Sequence, residues 1–255
     1  PIWRKKVRLL VATPSWLNGT AYPTWDGNSV LTAHVTNASG LAGPFAELNK
    51  LKHGDQILVV DAGLMFPEND MLGIDYIIPD FRYLLERKHT VRGVIVTHGH
   101  EDHTGAIHHL MEQIDAPIYA TPLTRGLLEI KLRDAKLSDR ASLNTIRAGD
   151  VIHLGPFAVE FFHVCHSIPD GVALLIRTPI GNILHTGDFK FDQTPIDGQM
   201  TDYGKLAELG AQGVHVLLSD STNIEREGAT LPDSRVGETL AQIMARATGR
   251  IIVAL

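Results

Sequence analysis

Between Val94 and Gly105 the chain reads Val-Ile-Val-Thr-His-Gly-His-Glu-Asp-His-Thr-Gly, and three histidines and an aspartate fall between positions 98 and 103. His98 and His100 flank a single glycine, and Asp102 and His103 follow directly, so a tight turn after an apolar strand can aim several donor atoms at one point. Neutral imidazole and carboxylate are the ligands zinc accepts where no thiolate is offered, and imidazole also suits iron and manganese. Packing alone gives no reason to crowd so many desolvation-sensitive groups together. The spacing therefore points to a metal site.

Further apolar runs end in polar groups of the same kind. Ile57 to Val60 runs into Asp61, Ala158 to Val164 into His166, Asn182 to His185 into Asp188, and Val214 to Leu218 into Asp220. In sheet-based folds a site forms just beyond the strand ends, where loops converge without spoiling the core. A single strand-end acid such as Asp61 or Asp220 is as readily a turn or capping residue; the repetition carries the weight. His108 and His109, farther along, read as surface or packing residues.

The elements that must position these groups follow from periodicity. Strands are expected at 57–60, 93–97, 117–120, 150–154, 158–164, 172–177, 182–185, 214–218 and 251–255, with Gly155-Pro156 and Pro179-Ile180-Gly181 as turns. Helices are expected at 81–89, 104–113, 123–135, 206–209 and 237–248, with a loop over 71–80. The ligand turn then sits at a helix N-terminus, where the dipole favours Asp102. Residues 1 to 56 differ in texture, with Trp16, Trp25 and turn signals at Asn18-Gly19 and Asp26-Gly27. They read as short strands and loops.

At 255 residues with 44% hydrophobic content, the chain can bury a sizeable core. Its apolar runs fall far short of the roughly 20 residues that span a bilayer, so no membrane partner is expected. The single cysteine, Cys165, rules out an intramolecular disulfide, fits a reducing compartment and reads as a small buried residue. The net charge of −6 argues against a broad basic surface for nucleic acid. Two bound divalent cations would invert the local field where a phosphate must sit. The start at Pro1, and the strand expected at 251–255, read as fragment ends.

From about Ile57 to Leu255 the wording is narrower than a generic metal motif. Asp61-Ala62-Gly63-Leu64-Met65-Phe66-Pro67, Asp75-Tyr76-Ile77-Ile78-Pro79-Asp80, Cys165-His166-Ser167-Ile168-Pro169-Asp170, His185-Thr186-Gly187-Asp188-Phe189-Lys190-Phe191-Asp192 and Leu218-Ser219-Asp220-Ser221-Thr222-Asn223 together resemble ribonuclease J, in the β-CASP branch of the metallo-β-lactamase superfamily. The resemblance implies an α/β (α+β) fold, the αββα sandwich of that superfamily, incomplete at both ends. It implies two divalent ions, zinc first and manganese second. His98, His100 and His166 would hold one ion and Asp102 and His103 the other, with Asp188 bridging, while Asp61 and Asp220 stand behind the ligands and Asp61 orients the histidine turn. The implied chemistry is RNA cleavage, internal and from the 5′ end, in the cytoplasm. A hydroxide held between the ions attacks phosphorus while the metals stabilise charge on the oxygens, and Asp102 positions the nucleophile. A family-like homo-oligomer is compatible with this, and no feature of the sequence specifies one.

The family has a further histidine ligand and a phosphate-binding loop after its β-CASP insertion, and neither is found in this sequence, so impaired activity is expected. Residues from about Trp16 to Ile57, including Tyr22-Pro23-Thr24-Trp25 and Gly43-Pro44-Phe45-Ala46, resemble instead a piece of a bacterial sortase, with His34 where that family keeps its catalytic histidine. The two resemblances meet near Gly54-Asp55-Gln56-Ile57, as a join or a natural fusion. The expected organisation is a sortase-like fragment at 1–56, a metallo-β-lactamase domain at 57–220, and the start of a β-CASP domain at 221–255. Two other readings stay open: a hydrolase of a small ester, thioester or lactam on the same fold, and an inactive chimeric remnant.

Overall fold

The structure, a computed structural model, describes residues 7–11, 29–30, 56–67, 71–224, 227–228 and 231–253. Its first sheet is wholly parallel, in the order β1 (Val7–Val11), β3 (Gln56–Val60), β4 (Val91–Val96), β5 (Ile118–Ala120), β6 (Leu143–Thr145). Parallel strands covered on both faces read as continuous apolar runs, which is why Ile57-Leu58-Val59-Val60 and Val94-Ile95-Val96 show no polar alternation. The short helices α1 (Arg82–Leu85), α2 (Glu101–Thr104) and α3 (Ile107–Met111) and the longer α4 (Pro122–Asp134) form the crossovers.

The second sheet runs β2 (Ser29–Val30), β11 (Val216–Leu218), β10 (Gly181–His185), β9 (Val172–Thr178), β8 (Phe157–His163), β7 (Val151–Leu154). From β7 to β10 it is antiparallel, and β11 and β2 add to it in parallel. α5 (Tyr203–Gln212) and α6 (Asp233–Arg246) follow β10 and β11.

The period of two along each strand sorts side chains between layers. Ile57 and Val59 of β3, with Val94 and Val96 of β4, pack under Ile107, Leu110, Leu128 and Leu132 of the helices. The intervening Leu58, Val60 and Ile95 face Phe157, Val159, Phe161, Leu174 and Ile176 of the second sheet. The other face of that sheet, with Phe162, Ala173, Leu175 and Leu184, meets Leu209 of α5. Phe157 and Phe161, buried almost without remainder, contribute about 1.5–3 kcal/mol each. The layers are helix, sheet, sheet, helix: the expected αββα sandwich.

Several elements differ from expectation. The helix expected over 104–113 is broken at Gly105 and Ala106, because the Ala106 amide donates to the Ala62 carbonyl at 2.9 Å instead of continuing the helical ladder. The one expected over 81–89 shortens to α1 and a 3₁₀ turn at Lys88–Thr90. β6, a three-residue edge strand, was not expected. α5 extends both ways beyond 206–209, started by Asp202, whose carboxylate accepts from the Lys205 amide at 2.8 Å. Residues 251–253, expected in a strand, are exposed and irregular, since no strand lies beside them among the described residues. The sortase-like segment, His34 included, lies outside the described residues apart from 29–30 and 56–57.

Candidate metal centre

Asp61 ends β3 with φ 59°, a left-handed conformation that aspartate tolerates better than most residues. It is fully buried and accepts hydrogen bonds from the Thr97 amide (2.7 Å), the Thr97 hydroxyl (2.9 Å) and His103 Nδ1 (2.8 Å). A hydroxyl has one hydrogen. Because Thr97 gives its hydrogen to Asp61, its oxygen accepts from His98 Nδ1, 3.0 Å away. His98 Nε2 is thereby left as a lone pair facing the interior of the site. One buried carboxylate thus orients two histidines, His103 directly and His98 through Thr97.

The turn bearing these groups is clamped to the end of β3. Ala62 N–H donates to the His103 carbonyl at 2.9 Å and Leu64 N–H to the Glu101 carbonyl at 3.1 Å. A Cβ on Gly63 would fall 1.6 Å from the Asp102 carbonyl oxygen, so that position requires glycine.

His166 arrives from the loop between β8 and β9, and Asp188 from the loop after β10. His98 Nε2 and His166 Nε2 each lie 3.1 Å from His100 Nδ1. Around a tetrahedral zinc, nitrogens at about 2.0–2.1 Å stand roughly 3.3 Å from one another, so the three rings already hold nearly the spacing a cation would impose. A second trio, His98, His103 and Asp188, also brings its ligand atoms within 4.8 Å. Asp188 reaches both sets, with Oδ1 3.3 Å from His103 Nε2 and Oδ2 3.7 Å from His166 Nε2. Asp102 stands outside the second trio, half exposed, its Oδ2 3.5 Å from His103 Nε2.

The electrostatics divide these groups. Burial, reinforced by the charge of His103, drives His98 down to about 2, and burial also lowers His166. Burial would lower His103 too, but the Asp61 charge and hydrogen bonds to Asp102, Asp188 and Asp61 override it and raise His103 to about 12. Burial opposes ionisation of Asp102 and Asp188, and His103 nonetheless pulls both down, Asp102 to about 2. Carboxylates gathered around the His103 imidazole, beside imidazoles at nitrogen-to-nitrogen contact, are a donor set that suits a divalent cation.

Asp220 is tied to the site through its backbone, its amide donating to the Thr186 hydroxyl at 3.0 Å. Its carboxylate accepts from the amide and hydroxyl of Thr222, both at 2.8 Å, as a turn-capping residue does. His108 and His109 lie on α3 away from both trios, His109 Nε2 3.2 Å from the Tyr76 hydroxyl. Cys165 is buried with a free thiol.

Three residues that sequence reasoning missed shape the centre. Thr97 relays Asp61 to His98, and its place between strand and motif is a local signal that could have found it. His185 Nδ1 accepts from the Gly187 amide at 3.0 Å, holding the turn that aims Asp188. The Thr201 hydroxyl accepts from the Cys165 amide at 2.9 Å and donates to the Lys190 carbonyl at 3.1 Å. Nothing in its neighbourhood in sequence signals this.

The profile of the Metallo-beta-lactamase superfamily matches residues 51–222. Among curated proteins the chain is similar to ribonuclease J of Synechocystis sp., 45% identical over 204 residues that cover 79% of this chain and 32% of that protein. It is also similar to ribonuclease J of Thermus thermophilus, 44% identical over 206 residues covering 78% of this chain and 36% of the relative. Ribonuclease J2 of Bacillus subtilis is 43% identical over 199 residues, again 78% and 36% of the two chains. The chain spans about a third of the length of the curated relatives it matches.

Proposed function

From the premise that this chain belongs to the Metallo-beta-lactamase superfamily, we propose that it carries the metal centre of a ribonuclease J-type enzyme that hydrolyses RNA phosphodiesters, internally and from the 5′ end. The observation that carries this reading is the pair of ligand trios sharing His98, with Asp188 spanning the two. The names of the relatives supply the substrate class. His98, His100 and His166 would hold one divalent ion and Asp102 and His103 a second, with Asp188 shared by the two and zinc or manganese as the metal. Residues 57–220 would form this domain and 221–255 the start of a β-CASP domain.

Such ions supply Lewis-acid stabilisation of charge on phosphoryl oxygens and make water a competent nucleophile near neutral pH. The protein's own groups do the rest. Asp61 and Thr97 fix the rings of His103 and His98, so the donor atoms point inward without reorganisation. Asp102, ionised at neutral pH and half exposed, would accept a hydrogen bond from the attacking water and orient it.

The test pairs metal content with cleavage of a 5′-labelled RNA and of a chromogenic lactam. Asp102→Asn is expected to keep part of the bound metal and lose RNA cleavage. Undiminished cleavage by that variant removes Asp102 from the mechanism. Lactam turnover without RNA turnover would transfer the assignment to a small-substrate hydrolase. A purified chain that binds no transition metal would sink the whole reading.

A further inference from the structure

Two of the proposed ligands, His166 and Asp188, stand on loops from different strand ends, and what holds those loops together lies outside both ligand motifs. The Lys190 amide donates to the Cys165 carbonyl at 2.8 Å. The return connection runs through a side chain: the Cys165 amide donates to the Thr201 hydroxyl, which donates in turn to the Lys190 carbonyl. Cys165 immediately precedes His166, and Lys190 lies two residues beyond Asp188. The two loops are thus fastened by a closed ring of hydrogen bonds with one hydroxyl in it.

Thr201 is 2% exposed and its own backbone is anchored. The Tyr203 amide donates to the Thr201 carbonyl at 2.8 Å, and the next residue, Asp202, donates its amide to the His163 carbonyl of β8 at 3.0 Å while capping α5. The hydroxyl therefore stands on a fixed point. A single atom that accepts from an N–H and donates to a carbonyl must be a hydroxyl oxygen, and valine, of equal shape, can do neither. Without it the buried Cys165 amide loses its partner, and one of the two ties between the ligand loops is cut.

We infer that Thr201 is a positioning residue for the metal centre, a buried hydroxyl strap that sets the separation of the His166 and Asp188 loops. The inference rests on the reading of those residues as metal ligands. The strap acts on binding of the cation through preorganisation, so its loss weakens metal affinity more than it weakens the fold.

The experiment measures zinc affinity of the 255-residue chain by competition with a chromogenic chelator, alongside the visible spectrum of the cobalt-loaded chain, which reports coordination geometry. Thr201→Val is expected to bind zinc about 10–100-fold more weakly, the range seen when groups supporting metal ligands are removed, and to change the cobalt bands. Thr201→Ser, which restores the hydroxyl, is expected to return both readouts to the parent values. Affinity and spectrum unchanged in a folded Thr201→Val would overturn the inference, as would a Thr201→Ser as impaired as the valine variant. If Thr201→Val does not fold, Thr201→Ala takes its place: weaker zinc binding with altered cobalt bands supports the strap, and parent-like values overturn it. A parent chain that takes up no zinc overturns the metal reading itself and the strap with it, whereas zinc bound equally by parent and variant overturns the strap alone.

Discussion

The two halves of the centre are held in different ways. The half on the first sheet, His98 to His103, grows from one continuous turn supported by the buried Asp61 and Thr97 and by the backbone of residues 62–64 bonded to α2. The half on the second sheet brings His166 and Asp188 from separate loops, fastened to each other by a backbone bond and the Thr201 hydroxyl, while the His185 ring holds the turn before Asp188. The first presents its ring nitrogens from one turn, held by several converging bonds from Asp61, Thr97 and residues 62–64. The second joins two separate loops through a few contacts. The halves differ in charge as well, since His103 in the first is raised to about 12 while His166 in the second is lowered by burial.

The hardest break falls on the first half. Asp61→Asn leaves His103 buried without its nearest counter-charge and is expected to cost about 3–5 kcal/mol in urea unfolding of the metal-free chain. The sign follows from linkage: His103 is raised in the folded state, so its contribution is full below the unfolded value near 6.5 and is lost as pH rises toward about 12. The difference between parent and variant should therefore shrink as unfolding is repeated across about pH 7 to 10. A constant difference would show that Asp61 acts through Thr97 and the backbone alone.

A matched pair of glycine substitutions compares the halves directly. Gly63→Ala places a methyl 1.6 Å from the Asp102 carbonyl oxygen and is expected to destabilise by about 3 kcal/mol or more. Gly187→Ala, at φ 58° with 3.0 Å to the Val172 carbonyl oxygen, is expected to cost about 1–2 kcal/mol. Denaturant midpoints for both decide the ranking, and the reverse order would refute the idea that the first half is the more tightly built.

Charge gives a finer probe. His98 and His166 stand neutral before a cation enters, whereas His103 must give up a proton to become a ligand. Zinc uptake at about pH 7 should release about one proton per chain, read from calorimetric enthalpies in buffers of different ionisation heat. Release of three would mean that His98 and His166 begin protonated as well.

The smallest effect lies at the back of the second sheet. Glu160 of β8 pairs with Lys205 of α5 at 2.5 Å and Arg177 of β9 at 2.7 Å. Burial opposes the ionised form, but these two cations lower Glu160 below its usual range. Its contribution is present above the unfolded value near 4.5 and fades as pH falls through the lower folded value. Glu160→Gln should cost about 0.5–1 kcal/mol at about pH 7 and nothing in acid, with zinc affinity unchanged. A matching loss of zinc affinity would tie the sheet's outer face to the ligand loops.

What could be read from the sequence follows the same division. The spacing of His98, His100, Asp102 and His103 survives in any linear reading, because one turn presents them all. The central parallel strands β3 and β4 were legible because burial on both faces writes an unbroken apolar run. Asp188 and His166 were legible as strand ends, but their juxtaposition came only with the resemblance. Thr201 and His185 were silent, since their roles depend on pairing across 36 residues in one case and on ring orientation in the other. Where a long-range hydrogen bond competes with the local ladder, as from Ala106 to Ala62, the expected helix broke.

The wholly parallel order of the first sheet has a kinetic side. Asp61 meets Thr97 across 36 residues and His103 across 42, and His166 meets His100 across 66. Non-local pairings of this kind incur their loop-closure entropy before any contact rewards it, so they form late and slowly. During synthesis, no cation could be gripped by the full donor set until Asp188 had emerged and both sheets had closed. Metal capture in this chain would mark the end of folding rather than guide its beginning.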